Sequence, residues 1–249
     1  MLSEPNSGAA LASQAIYGTT VDEIERSGDW VRIRTPDDYA GWVHVSALTQ
    51  TQTPYGVRGT VAMVDSIRAH LYHNDSVIHP PVISLPYETR LEITGGEGRW
   101  LQVRLVGARE AWIQSGDLTF RETPFSLAEV VALSNRFVEL PYTWGGASSF
   151  GYDCSGFTQM LYRRRGINMP RDSHLQANWN GVMVVEKRDL QMADLLFFGD
   201  HFDKITHTGM YLGEGYFIHA TTHNVPRIQV SELADPHWTN LLVACRRPK

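Results

Sequence analysis

The chain has 249 residues, with 22 Lys and Arg against 27 Asp and Glu and a net charge of −5. With no block of Lys or Arg, that balance argues against nucleic-acid and membrane-surface partners, and no apolar run reaches the roughly 20 residues that a spanning helix needs. The start, MLSEPNSGAALAS, lacks a basic stretch followed by an apolar core, so the expectation is a cytoplasmic protein, or a secreted one only if a leader has been removed.

In chain order, the first feature is a repeat. The segment from Tyr17 to Leu48 recurs from Tyr87 to Leu118, with Trp30 matching Trp100 and Trp42 matching Trp112. Within each copy, WVRIR and WLQVR alternate large apolar with polar residues, the period-two pattern of half-buried strands. Gly28 and Gly98 stand just before a Trp and supply the turn that joins two strands. Each copy therefore reads as a small β-barrel-like unit, whose matched Trp residues belong to core packing. The polar, Pro-containing stretches TQTQTPYG and TFRETPFS read as linkers, giving domains at 1–50, 57–120 and 125–249.

After the second linker the period becomes helical. Leu127, Val130, Val131, Ser134 and Val138 share a face, and Ser126 with Glu129 makes a capping box. A second helix is predicted through SGFTQMLYRRRG, stopped by Gly166, which puts Cys154 in its first turn. The run Arg163, Arg164 and Arg165 reads as a solvated helix face, and Trp144 as a core aromatic. Beyond Pro170, LLFF, HTGMYLG, YFIHA and LLVAC are short apolar or alternating runs that read as antiparallel strands. The fold class is α+β, two β-modules followed by a mixed domain.

Of the two cysteines, Cys245 lies in the apolar run LLVAC and behaves as a small hydrophobe. Cys154 stands in the polar turn DCSG, where the partial positive charge of a helix start is expected to lower its pKa toward the physiological range. A thiol nucleophile needs a base. His207 and His219, on neighbouring strand candidates, can supply a base and a ring that orients it.

These residues resemble a known family. YTWGG, DCSGF, PRDSHLQ, DLLFF, HTGMYLG and FIHA match, in order and spacing, the NlpC/p60 family of papain-like cysteine peptidases, and the match covers essentially the C-terminal half. The resemblance implies Cys154 as nucleophile, His207 as base, His219 as the residue that holds the base and Tyr142 as a hydroxyl assisting at the oxyanion. The backbone N–H of Cys154 would be a second oxyanion donor. Tandem bacterial SH3-like modules ahead of such a half look like the dipeptidyl-peptidase branch, which cuts the γ-D-glutamyl bond to a diamino acid in murein peptides with a free N-terminal L-Ala. That branch implies Tyr39 and Glu4 in the first module, with Asp172 and Ser173, as receivers of the substrate ammonium. Asp153 and Ser155, beside the thiol, are further substrate-binding positions. Arg109 stands where the second repeat would carry the counterpart of Tyr39, so only the first module is equipped for this role. The implied partner is a murein peptide, with no cofactor, no metal, no nucleic acid and no membrane.

Other readings stand beside this one. Cys154 alone is compatible with a structural thiol, and Cys154, His207, His219 and His223 together imitate a zinc set, which requires FIHATTH to be a helix although its composition suggests strand then loop. A wall-binding protein with a vestigial catalytic half, and an amidase or acyltransferase using the same thiol, are the competing functions.

Overall fold

The computed structural model describes residues 1–249. By its contacts the chain divides into two units, one comprising Met1–Pro36 with Ala40–Thr123 and the other Pro124–Lys249 with the short turn Asp37–Tyr39. No helix is long and apolar enough to cross a membrane.

The first unit is built from the repeat. Strands β1 (Asp22–Ser27), β2 (Trp30–Arg34) and β3 (Ala40–His44) form one antiparallel sheet. Strands β4 (Thr60–Val64), β5 (Arg68–Tyr72), β6 (Ile83–Pro86), β7 (Arg90–Glu97), β8 (Trp100–Arg104), β9 (Glu110–Gln114) and β10 (Leu118–Thr119) form a second, ordered β10-β4-β7-β8-β9-β5-β6. The meander β1–β3 has its copy in β7–β9. Gly28 and Gly98 take φ of 57° and 62°, a left-handed geometry that costs glycine little and lets each hairpin close tightly. Each copy carries a register shift at the same place, between Glu23 and Glu25 and between Ile93 and Gly95. Alternation buries Val31 and Ile33 in one copy and Val103 in the other, while Trp42 is buried and Trp30, Trp100 and Trp112 are half-buried. β1 is exposed along its whole length and carries charged residues, which suits an edge strand by discouraging further pairing.

The second unit packs helices against one antiparallel sheet. Helix α1 (Leu127–Asn135) starts at the predicted capping box, Ser126 with Glu129, and ends before Val138. The N–H of Arg136 turns back to the carbonyl of Leu133, and Glu139 takes φ of 73°, so the apolar spacing outruns the helix by one turn. A short hairpin, β11 (Ala147–Ser148) and β12 (Gly151–Tyr152), leads into α2 (Cys154–Arg163). Then come α3 (Ser173–Asn178), β13 (Val182–Val184), β14 (Leu195–Gly199), β15 (Ile205–Gly213), β16 (Tyr216–Thr221), β17 (Arg227–Glu232), α4 (Pro236–Leu241) and β18 (Leu242–Pro248). The six-stranded sheet runs β13-β18-β14-β15-β16-β17. One apolar cluster gathers Leu196, Phe198, Phe217, Leu233, Trp238 and Cys245, and Cys245 faces Leu196 across the sheet as a buried structural thiol.

Two expectations are corrected here. Trp144, read as a core aromatic, is 71% exposed, because the N–H of Gly146 closes a turn onto the carbonyl of Thr143 and leaves the indole at its outer corner. The Arg163–Arg165 run is half-buried rather than solvated, with the Arg164 guanidinium 4.5 Å from the ring of Phe125. An arginine can lay its stem and its planar head on apolar surface while remaining charged.

Candidate active site

Cys154 is the first residue of α2 because Asp153 caps that helix. Asp153 is extended, and its Oδ1 accepts from the N–H of Gly156 at 2.7 Å. The cap is clamped by Arg171, whose guanidinium donates to both Asp153 oxygens at 2.9 and 2.6 Å, to Ser155 Oγ at 2.8 Å and to the Gly146 carbonyl at 3.2 Å. Arg171 is 2% exposed, and a charge taken that far from water is tolerated because a bidentate carboxylate and further acceptors receive its donors. Asp153 and Ser155, named from the sequence as substrate-binding positions, thus have their side chains buried and engaged with Arg171. The sequence reading missed Arg171, which sits inside PRDSHLQ with nothing in the one-dimensional pattern to mark it as buried.

The thiol itself is buried. Contrary to the expected lowering by the helix start, burial pushes the Cys154 thiol up to about 12, with Asp153 adding to the rise, while the backbone N–H groups of Thr208 and Ser155 act against it. Desolvation of a thiolate outweighs the half-charge of one helix end. The Thr208 contact fixes where the base lies, since Thr208 follows His207 on β15, and α2 packs on β15 and β16.

On those strands the two histidines share a face. Met210 pairs with Ile218, which sets Gly209 beside His219 and leaves His207 one diagonal step away. A Cβ on Gly209 would stand 3.0 Å from Cβ of His219 and 2.9 Å from the Phe217 ring, so the bare glycine makes room for the histidines to meet. His207 Nε2 and His219 Nδ1 are 2.7 Å apart, and His219 Nε2 is 3.0 Å from Ser231 Oγ on β17. Trp238 of α4 stacks on His207 with centroids 5.3 Å apart and planes at 28°, and meets His219 edge-on at 4.7 Å. Burial drives His207 down to about 3, helped by the charges of His237 and His223, and it lowers His219 as well. Both rings are therefore neutral at ordinary pH. Both nitrogens of His219 are occupied by hydrogen bonds on a β-strand, an arrangement suited to orienting a ring rather than to the zinc set considered from sequence. Ser231 and Trp238 were not found by sequence reading. For Trp238 a signal existed, since Asp235 caps α4 and Pro236 opens it, the usual grammar of a helix start.

Tyr142 forms a bridge with Tyr152, just ahead of Asp153. Its hydroxyl is raised by burial and then by the charges of Cys154 and Asp153, which places it in reach of the thiol's field. In the same unit the turn Asp37–Tyr39 is tied to α2, where Gln159 Nε2 donates to Asp37 Oδ2 at 2.9 Å and to the Met169 carbonyl at 3.0 Å. Tyr39 is raised by burial and by the charge of Asp172. Asp172, half-buried at the start of α3, is raised by burial against the pull of Arg171. Ser173 is buried beside it. Glu4 is exposed in the first unit, where Asn6 Nδ2 donates to it at 3.3 Å.

Comparison with known proteins finds matches for both ends of the chain. Residues 139–247 match the NlpC/P60 family, and residues 1–48 match the bacterial dipeptidyl-peptidase Sh3 domain. A γ-D-glutamyl-L-lysine dipeptidyl-peptidase of Bacillus cereus is 34% identical, the match covering 84% of this chain and 67% of that one. The chain belongs to the NlpC/P60 family. It is a cysteine peptidase, with an NlpC/P60 fold and an SH3-like domain. A crystal structure of an NlpC/P60 family protein from Bacillus cereus superposes with a TM-score of 0.84 at 30% identity, covering 95% of this chain and 82% of that one. The γ-D-glutamyl-L-lysine dipeptidyl-peptidase of Bacillus subtilis is 28% identical, over 95% of this chain and 81% of its own length.

Proposed function

We propose that this NlpC/P60 peptidase hydrolyses the γ-D-glutamyl bond to a diamino acid in murein peptides whose N-terminal L-Ala is free. The observation that carries the substrate reading is the placement of Tyr39 and Asp172 in the catalytic unit, with Tyr39 in the field of the Asp172 carboxylate. A buried ammonium is costly unless a carboxylate and hydrogen-bond acceptors receive it, and a carboxyl with a phenol meets that need. The two Bacillus relatives, named for a γ-D-glutamyl-L-lysine bond, support the same assignment and favour L-Lys as the diamino acid.

In this reading His207 Nδ1 takes the proton of Cys154 as Sγ attacks the γ-carbonyl. The oxyanion is received by the N–H of Cys154 at the start of α2 and by the Tyr142 hydroxyl. The C–N bond then breaks, the proton on His207 passes to the leaving amine, and a thioester remains. Water, deprotonated by His207, adds to the thioester, and collapse of that adduct releases L-Ala-γ-D-Glu and returns the thiol. Because burial raises the thiol and lowers the imidazole, this reading has proton transfer accompany attack instead of preceding it. Asp153, Ser155 and Arg171 hold the nucleophile in place, and Ser173 stands beside Asp172 at the ammonium end. A requirement for a free amine suits reuse of released peptides over cutting of intact wall.

Incubation with L-Ala-γ-D-Glu-L-Lys should release L-Ala-γ-D-Glu, whereas the N-acetylated peptide should turn over slower by about two orders of magnitude or more, the scale on which an unpaired buried polar site discriminates. Equal rates for the two peptides would sink the ammonium pocket. No release from either the L-Lys or the diaminopimelate peptide would remove the substrate assignment. Replacement Cys154→Ala should lower turnover by at least about three orders of magnitude, the usual scale for loss of a nucleophile.

A further inference from the structure

The ring that orients the base is itself held at its far nitrogen. His219 is wholly buried, and its two nitrogens meet His207 Nε2 and Ser231 Oγ and no other partner. On the sheet this follows from register, since His219 pairs with Gln229 and Phe217 with Ser231, which sets the Ser231 side chain on the same face as His219, one diagonal step along the edge strand β17.

We propose that Ser231 is a positioning residue of this peptidase, the last member of a chain Cys154–His207–His219–Ser231 that decides which nitrogen of the base is free to receive the thiol proton. The inference rests on Cys154 and His207 being nucleophile and base.

A neutral imidazole carries one N–H and one lone pair. For His207 to accept a proton at Nδ1, its proton must sit on Nε2 and be donated to His219 Nδ1. That nitrogen must then be bare, so the proton of His219 lies on Nε2, deep in the protein, where it needs an acceptor. Ser231 Oγ is that acceptor. In the reversed arrangement Ser231 donates to His219, His219 donates to His207, and the proton of His207 occupies Nδ1, where it cannot serve as a base. Ser231 is half-buried, so its own hydrogen can turn outward while its lone pair faces His219. When His207 becomes an imidazolium, the same chain receives its Nε2–H and passes polarisation outward to Ser231.

The test measures alkylation of Cys154 by iodoacetamide against pH in the full chain carrying Cys245→Ala, with Ser231→Ala, Ser231→Thr and Ser231→Asp added in turn. Ser231→Ala should lower the neutral-pH rate about tenfold, the size of one lost hydrogen bond, and Ser231→Thr should restore it. Ser231→Asp, an acceptor without a donor, should raise the rate and move the acid limb to higher pH. A merely structural serine predicts a loss for Ala and Asp alike, with no movement of the limb, so that result overturns the proposal, as do profiles for both that superimpose on the parent. Should Ser231→Ala fail to fold by circular dichroism, the parent-like profile expected of Thr against the raised rate and shifted acid limb expected of Asp decides. Turnover of L-Ala-γ-D-Glu-L-Lys is read alongside, with kcat expected to fall and KM to hold in Ser231→Ala. An enzyme that fails to cleave this peptide but shows the alkylation pattern loses the substrate assignment and keeps the relay.

Discussion

His207 lies between two kinds of support, the hydrogen bond it shares with His219 and the face of Trp238. The second is apolar, and it also withholds water from the His207–His219 bond, since Trp238 is 4% exposed. Trp238→Ala should therefore do two things at once. Stability should fall by about 3–5 kcal/mol, as for other buried tryptophans cut to alanine, and kcat should fall further than the folded fraction explains. Trp238→Phe, which keeps a ring, should recover most of both in urea titration and steady-state assays. Protonation gives a second expectation at this scale. The unfolded chain binds protons on His207 and His219 near the ordinary value of 6.5, while burial holds both folded values lower, His207 at about 3. The folded state thus refuses protons that the unfolded state accepts. Stability from this source is full above about pH 6.5 and is lost as pH falls toward 3. Tm measured from pH 8 down to pH 4 should decline below 6.5, and His219→Gln should flatten that decline. A Tm that stays level in the parent would remove the claim that these rings are held neutral.

The elements that carry the site depend on close approaches that only particular residues permit. Helix α2 begins against the loop before it, where a Cβ on Gly156 would come within 2.2 Å of the Gly146 carbonyl oxygen. Gly156→Ala must push the first turn of α2, and Cys154 with it, away from that loop, so activity should be lost even where the protein remains folded. Thermal melting and peptide turnover measured together separate the two effects. The same helix start relies on Arg171. Arg171→Leu leaves the Asp153 carboxylate buried and uncompensated, which should cost about 3–5 kcal/mol. Adding Asp153→Asn should recover part of that loss, and urea titration of the single and double variants checks the coupling. Much at this scale was legible in the chain. The capping box of α1, the stop at Gly166 and the strand runs from Leu195 onward were read from period and turn chemistry, because those signals are local. α4 and β17 were not read, since the first is only six residues long and the second, RIQVSE, alternates too weakly to announce itself.

For the molecule as a whole, the unit that holds the thiol takes in the turn Asp37–Tyr39 from far earlier in the chain. In the second repeat the same turn reads Gly107, Ala108 and Arg109, so both the acid held by Gln159 and the phenol in the field of Asp172 belong to one copy alone. Tyr39→Phe should raise KM for L-Ala-γ-D-Glu-L-Lys by about tenfold, as expected for one hydrogen bond to a charged group, and leave the slow turnover of the acetylated peptide unchanged. A uniform loss on both peptides would count against an ammonium site at this turn. The chain by itself determined the repeat, the α+β class, the family words and the meeting of His207 with His219, because periodicity, turn residues and motif order are written along one dimension. It misjudged the thiol, the exposed Trp144 and the half-buried arginines, and it missed Arg171, Ser231 and Trp238. Those were decided by the tertiary structure alone. Burial, stacking and the desolvation that sets a pKa depend on what arrives from distant parts of the chain, and no local pattern records which neighbours a folded residue will meet.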